Sequence, residues 1–118
     1  MRKWLMMGLL LTLVGCAGTP PEKLAGQDVT AAIKRLGTPR EDVQAVAPET
    51  WDGWFGPVPR ELKEGTAYRS LVFTTGGEDY YVYAIKAADY QALRQVSPPA
   101  DATWVVIMIE SYPEGAVF

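Results

Sequence analysis

The chain contains no histidine and a single cysteine among 118 residues. Each absence removes a body of chemistry. Without imidazole there is no Ser-His or Cys-His nucleophile pair and no base that titrates near neutrality. Without histidine or a second cysteine there is no His/Cys metal cluster and no internal disulfide, so neither metal nor cofactor is expected. Positive charge is scarce as well: 11 Lys+Arg stand against 14 Asp+Glu, for a formal charge of −3 and a sequence pI near 4.9. Nucleic-acid binding needs a basic face to meet the phosphates, so nucleic acid is not an expected partner. There is no internal repeat and no long low-complexity tract. What is present, 48% apolar and 21% charged, is the composition of one ordinary globular domain.

The first sixteen residues are the most informative. Arg2 and Lys3 precede an apolar run over 4–14, followed by Gly15 and Cys16. That run is shorter than the roughly 20 residues a membrane-spanning helix needs, and its layout is that of a secretory signal. Leu13-Val14-Gly15-Cys16 resembles the bacterial lipoprotein signal box, in which cleavage precedes the cysteine and the thiol receives a diacylglycerol. The resemblance implies a signal peptide over 1–15 and lipid attachment at Cys16. Cleavage there leaves 103 residues with nine basic and 14 acidic side chains, a charge of −5. Acyl chains contribute roughly 0.8 kcal/mol per buried methylene, so a multiply acylated cysteine holds the protein on the membrane without any protein surface touching lipid. Ala17 follows the cysteine, where inner-membrane retention in enterobacteria uses Asp, and this implies the periplasmic side of the outer membrane.

Residues 16–23 read as a lipidated cysteine and an extended Pro/Gly-rich tether reaching roughly 23 Å, which leaves 24–118 as one periplasmic domain. A helix is expected from Asp28, a favoured cap, with Val29, Ala32, Ile33 and Leu36 on one buried face and Gly37 and Pro39 as the stop. The densest strand signal covers 67–86, broken by Gly76-Gly77. A two-residue turn there pairs Phe73 with Tyr80, Leu71 with Val82 and Arg69 with Ala84 on a core face. The other face carries Tyr68, Ser70, Val72 and Thr74 opposite Ile85, Tyr83, Tyr81 and Asp79. It is expected to be a half-wet aromatic surface, exposed or covered by a partner. A short second helix over 87–96 turns Tyr90, Leu93 and Val96 inward. A last strand over 103–112, apolar on both faces, is paired on both edges or covered on both sides. The expected fold class is α+β, a small two-layer domain with helices packed on an antiparallel sheet.

Gly26-Gln27-Asp28, then seven residues, then Leu36-Gly37-Thr38-Pro39 resembles the small outer-membrane lipoproteins of the SmpA/OmlA type, the family of an accessory lipoprotein of β-barrel assembly. The aromatic segment Trp51-Asp52-Gly53-Trp54-Phe55 and the hairpin start Leu71-Val72-Phe73-Thr74-Thr75-Gly76-Gly77 follow in the same order. The resemblance covers about 24–85. This chain departs from the pattern in lacking Ser or Thr at the cap, in an insertion over 56–65, and in the helix and strand after the hairpin. The resemblance implies a lipid-anchored, non-enzymatic binding or scaffolding module, with membership of the assembly machinery left open. The alternative is a lipoprotein that binds and inhibits a periplasmic enzyme or toxin.

Trp51, Trp54 and Phe55 are the candidate partner-binding residues, because aromatics on Pro/Gly-rich loops often anchor interfaces. The competing reading is that they complete a small core. A small hydrolase is the third class, and the side chains offer it little. Ser70 and Lys86 are the one nucleophile-base option on the hairpin, and in the expected register they point to opposite faces. Glu41-Asp42, Glu78-Asp79 and Glu61 with Glu64 read as solvated charges, without the spacing of a calcium loop or of a buried catalytic pair. No catalytic residue is nominated.

Overall fold

The computed structural model describes residues 20–118. The expected signal peptide and the lipid attachment site Cys16 lie outside the described residues. Pro21–Leu24 form a 3₁₀ turn, Val29–Leu36 the helix α1 and Ala87–Arg94 the helix α2. The strands are β1 (Glu41–Val46), β2 (Ala67–Thr75), β3 (Glu78–Lys86) and β4 (Trp104–Pro113), in one antiparallel sheet of order β1-β2-β3-β4. The α+β class is as expected, with helices packed on an antiparallel sheet.

The hairpin register is the expected one: Phe73 opposes Tyr80, Leu71 opposes Val82 and Arg69 opposes Ala84. Gly76 and Gly77 both take positive φ, 61° and 80°, the backbone that lets a two-residue turn follow the twist of its strands. Helix α1 starts at Asp28, whose carboxylate accepts the Thr30 N–H at 2.9 Å, and stops at Gly37, whose N–H donates to the Ile33 carbonyl. Val29, Ala32 and Leu36 bury against Leu71, Phe73, Val82, Ala84 and Val106, and this first face of the sheet is the core the alternation called for.

Four features differ from expectation. The tether closes at Pro21 into the 3₁₀ turn, because proline at a first helical position loses no hydrogen bond and Leu24 gains burial against α1 and β4. Residues 41–46 form a strand, although its side chains are almost all exposed and carry none of the alternation that marks a half-buried strand. The second face is drier than expected: Tyr68, Tyr83 and Ile85 are buried under the chain's own 47–66 segment and α2, Val72 is buried as well, and Thr74 stays exposed. Finally α2 ends at Arg94, and Val96 faces solvent because Gln95 turns left-handed at φ 60°.

Strand β4 is covered on both faces, and segment 26–28 lies along its outer edge through Gly26 N–H to Val106 O at 2.7 Å and Val106 N–H to Gln27 O at 2.8 Å. Its alternation is broken by a bulge: Tyr83 opposes Met108 while Ala84 opposes Val106, so Ile107 is the extra residue. Trp104 and Val106 therefore face α1, whereas Met108 joins Ile107 on the second face and Ile109 returns to the first.

Truncation should separate the core from the exposed edge. Leu71→Ala, at a fully buried site, is expected to cost about 2–5 kcal/mol of unfolding free energy. Val43→Ala on β1 should stay within about 0.5 kcal/mol, both read from urea titrations.

Candidate functional site

The 47–66 segment is a loop whose two ends meet. Ala47 N–H donates to Thr66 O at 2.8 Å and Gly65 N–H donates to Ala47 O at 3.0 Å, so the intervening chain leaves the sheet and returns beside where it started. Trp51, Pro57, Val58, Pro59 and Leu62 are buried beneath it. Tyr83 donates its hydroxyl hydrogen to the Pro57 carbonyl at 2.6 Å, fixing the middle of the loop to the centre of the sheet. Burial pushes the Tyr83 hydroxyl above its ordinary value of 10.0, so it stays a donor across the physiological range.

A second clamp holds the far side. Arg94 at the end of α2 gives a two-pronged contact to Glu61, with Nη2 at 2.8 Å from Oε2, and the same Nη2 reaches the carbonyl of the bulge residue Ile107 at 3.1 Å. One guanidinium thus ties together the loop, α2 and β4.

Upon this frame the three nominated aromatics divide. Trp51 is 8% exposed and packs beside Tyr68 at 6.0 Å between ring centroids, so its ring is part of the core rather than of the outer surface. Its indole N–H is buried without a hydrogen-bond partner. Trp54 is 45% exposed and stands edge-on to Trp51 at 5.0 Å, while Phe55 is 78% exposed. The buried indole orients the exposed one, and Arg60 donates to the Trp54 carbonyl at 3.3 Å.

The sequence reading missed an extension of this surface. Phe118 is half-exposed and packs edge-on against Tyr112 at 4.9 Å and Tyr81 at 5.9 Å. It also lies over Gly56, where a Cβ would sit 3.0 Å from the ring and where φ is +78°. Glycine at 56 thus lets the Phe55 loop and the terminal aromatic lie against each other. No spacing signal links residue 118 to residue 56, since the contact exists only once the sheet has formed. Together Trp54, Phe55 and Phe118 make an apolar surface on the second face, backed by two tyrosines.

Polar chemistry is sparse by comparison. Ser70 lies opposite Tyr83 on the second face, whereas Lys86 holds its ammonium 5.5 Å from the Trp104 ring on the first, so the nucleophile-base pair is not assembled. Asp79 is buried under the C-terminal segment in a cleft of about 400 Å³. It accepts from the Thr74 hydroxyl at 2.5 Å and meets Arg40 at 3.5 Å, so both of its oxygens have partners. Among the described residues no group of three or more His, Cys, Asp or Glu could hold a metal ion, and no helix is long and apolar enough to cross a membrane. Comparison of the chain with protein-family models, curated proteins and solved structures yields no match.

Two measurements follow from the clamps. Trp51→Ala should cost about 3–5 kcal/mol, while Phe55→Ala should change unfolding free energy by less than about 0.5 kcal/mol, which chemical denaturation resolves. The hydrogen bonds from Arg94 hold the Glu61 carboxyl below its ordinary 4.5, and those from Arg69 hold Asp42 below 3.8. A depressed carboxyl adds stability that is present above its unfolded value and lost as pH falls through the folded one. Melting temperature should therefore fall below about pH 4.5, modestly because both groups are partly solvated, and Glu61→Gln should remove its share of that slope.

Proposed function

We propose that this chain is a lipid-anchored outer-membrane lipoprotein whose periplasm-facing domain binds another envelope protein without catalysing a reaction. The observation that carries the binding half is the exposed pair Trp54 and Phe55, held outward on a loop closed at its base and clamped at its centre. Rings displayed on a rigid frame lose little entropy when covered, the property of interface anchors. Phe118 enlarges the patch. The anchoring half rests on the sequence Leu13-Val14-Gly15-Cys16 after a short apolar run, and the outer-membrane address on Ala17. An accessory part in outer-membrane protein assembly is the specific form suggested by the SmpA/OmlA resemblance.

Affinity purification from detergent-solubilised membranes tests both halves. The Cys16→Ser variant should leave the membrane fraction or remain uncleaved, and normal lipid labelling of it would remove the anchor. Trp54→Ala and Phe55→Ala should lower partner affinity about 30-fold or more each, while the Phe55 variant keeps its thermal stability. Recovery of barrel-assembly components supports the accessory role, whereas a soluble periplasmic enzyme as sole partner would replace it with the inhibitor reading.

A further inference from the structure

The two edges of the sheet are finished differently. The outer edge of β4 is paired by the chain itself at Val106, through Gly26 and Gln27. The outer edge of β1 has no neighbouring strand among the described residues. Because Ala47 N–H bonds to its opposite residue Thr66, the odd-numbered residues of β1 face β2 with their backbone groups. The N–H and C=O of Asp42, Gln44 and Val46 therefore point away from the sheet, a run of three residues ready to accept another strand.

We propose that this edge pairs with the same edge of a second copy, β1 against β1 antiparallel, with the two-fold axis at Gln44. The register follows from the residues themselves. Centred on Gln44, the ladder uses all three outward-facing residues, setting Asp42 opposite Val46 of the other copy and Val43 opposite Ala45. Val43 and Val46, both exposed in the single chain, gain cover on opposite faces. Shifting the pairing toward the carboxyl end draws in Pro48, which has no N–H. Shifting it toward the amino end draws in Arg40, whose N–H is already given to the Val72 carbonyl at 2.8 Å, and brings the carboxylates of the two copies together.

Charge agrees with the same choice. Asp42 is held by Arg69 through bonds of 2.8 and 2.7 Å within its own chain, so it enters the contact neutralised. Glu41 falls opposite Ala47 at the end of the ladder, far from its symmetry mate. The result is an isologous contact joining two four-stranded sheets into one of eight. A six-residue edge buries less than a standard interface, so the dimer is weak and forms at high local concentration. The pairing goes beyond the proposed lipoprotein function and needs neither the lipid nor the aromatic surface.

The test uses the full chain, in detergent where it partitions with membranes, from about 10 µM to about 1 mM. Amide exchange of Asp42, Gln44 and Val46 should slow about tenfold or more as concentration rises, while Val43 and Ala45 stay protected throughout. Sedimentation should show the dimer in step with that protection. Gln44→Pro removes the outward N–H at the axis and no β1–β2 hydrogen bond, and Gln44→Lys sets like charges against each other there. Both should sediment as monomers with thermal unfolding close to that of the parent chain. A parent chain that remains monomeric to about 1 mM overturns the proposal and leaves Glu41 and Asp42 as charges that keep the edge solvated. A dimer that persists in both variants, or one that protects none of the three amides, overturns it equally.

Discussion

A hairpin that is apolar on both faces has to be covered twice, and the rest of this fold answers that demand. Leu71, Phe73, Val82 and Ala84 on one side and Tyr68, Tyr83 and Ile85 on the other leave neither face fit for water. Two helices of eight residues each are too little to cover both. Helix α1 and the 3₁₀ turn suffice for the first face, whose side chains are mostly aliphatic. The second face is aromatic, and α2 packs chiefly on β3 and β4. Segment 47–66 supplies the remainder with Trp51, Pro57, Val58, Pro59 and Leu62. A loop can serve as a layer here because its prolines bring no N–H to be stranded in the interior, and one of the freed carbonyls, that of Pro57, meets the Tyr83 hydroxyl.

The bulge at Ile107 belongs to the same solution. An unbroken alternation along β4 would send Ile107 and Ile109 to one face together and leave Met108 on the other. The extra residue places Val105, Ile107 and Met108 over the second face and returns Ile109 to the first. Bulges leave a carbonyl without a ladder partner, and here Arg94 reaches that of Ile107 while holding Glu61. The exposed ion pair adds little energy by itself. Its value is positional, since it fixes the loop, the helix end and the bulge relative to one another.

What could be read from the sequence was what depends on neighbours along the chain. Gly76-Gly77 set the hairpin register because both positions demand positive φ, and the register then assigned every side chain on two strands to a face. Asp28 and Gly37 bounded α1 by hydrogen bonds that span no more than four residues. What escaped depends on contacts far apart in sequence. Strand β1 shows Glu-Asp-Val-Gln-Ala-Val, with no buried face to impose a period, and it is a strand because β2 offers it an edge. The cover over the second face was invisible for the opposite reason: the 47–66 segment has the composition of a surface loop, and only the apolar sheet beneath it turns Val58, Pro59 and Leu62 inward. The candidate site divided along the same line. Three aromatics within five positions read as a unit, yet one ring answers to the sheet and the other two to solvent.

That division explains how a small domain can present apolar rings without giving up its core. Trp51 spends its surface on Tyr68 and on the base of the loop, and its edge-on contact with Trp54 is the join between interior and exterior. Were all three rings exposed, the loop would have nothing to fold upon; were all three buried, the face would be smooth. Chain chemistry presses the same way. The carboxylates Asp42, Glu61 and Asp79 are each engaged by an arginine, and these pairs tie β1 to β2, the loop to α2 and residue 40 to β3. Among the described residues, the aromatic surface is left open to apolar contact and the outer edge of β1 to backbone hydrogen bonds.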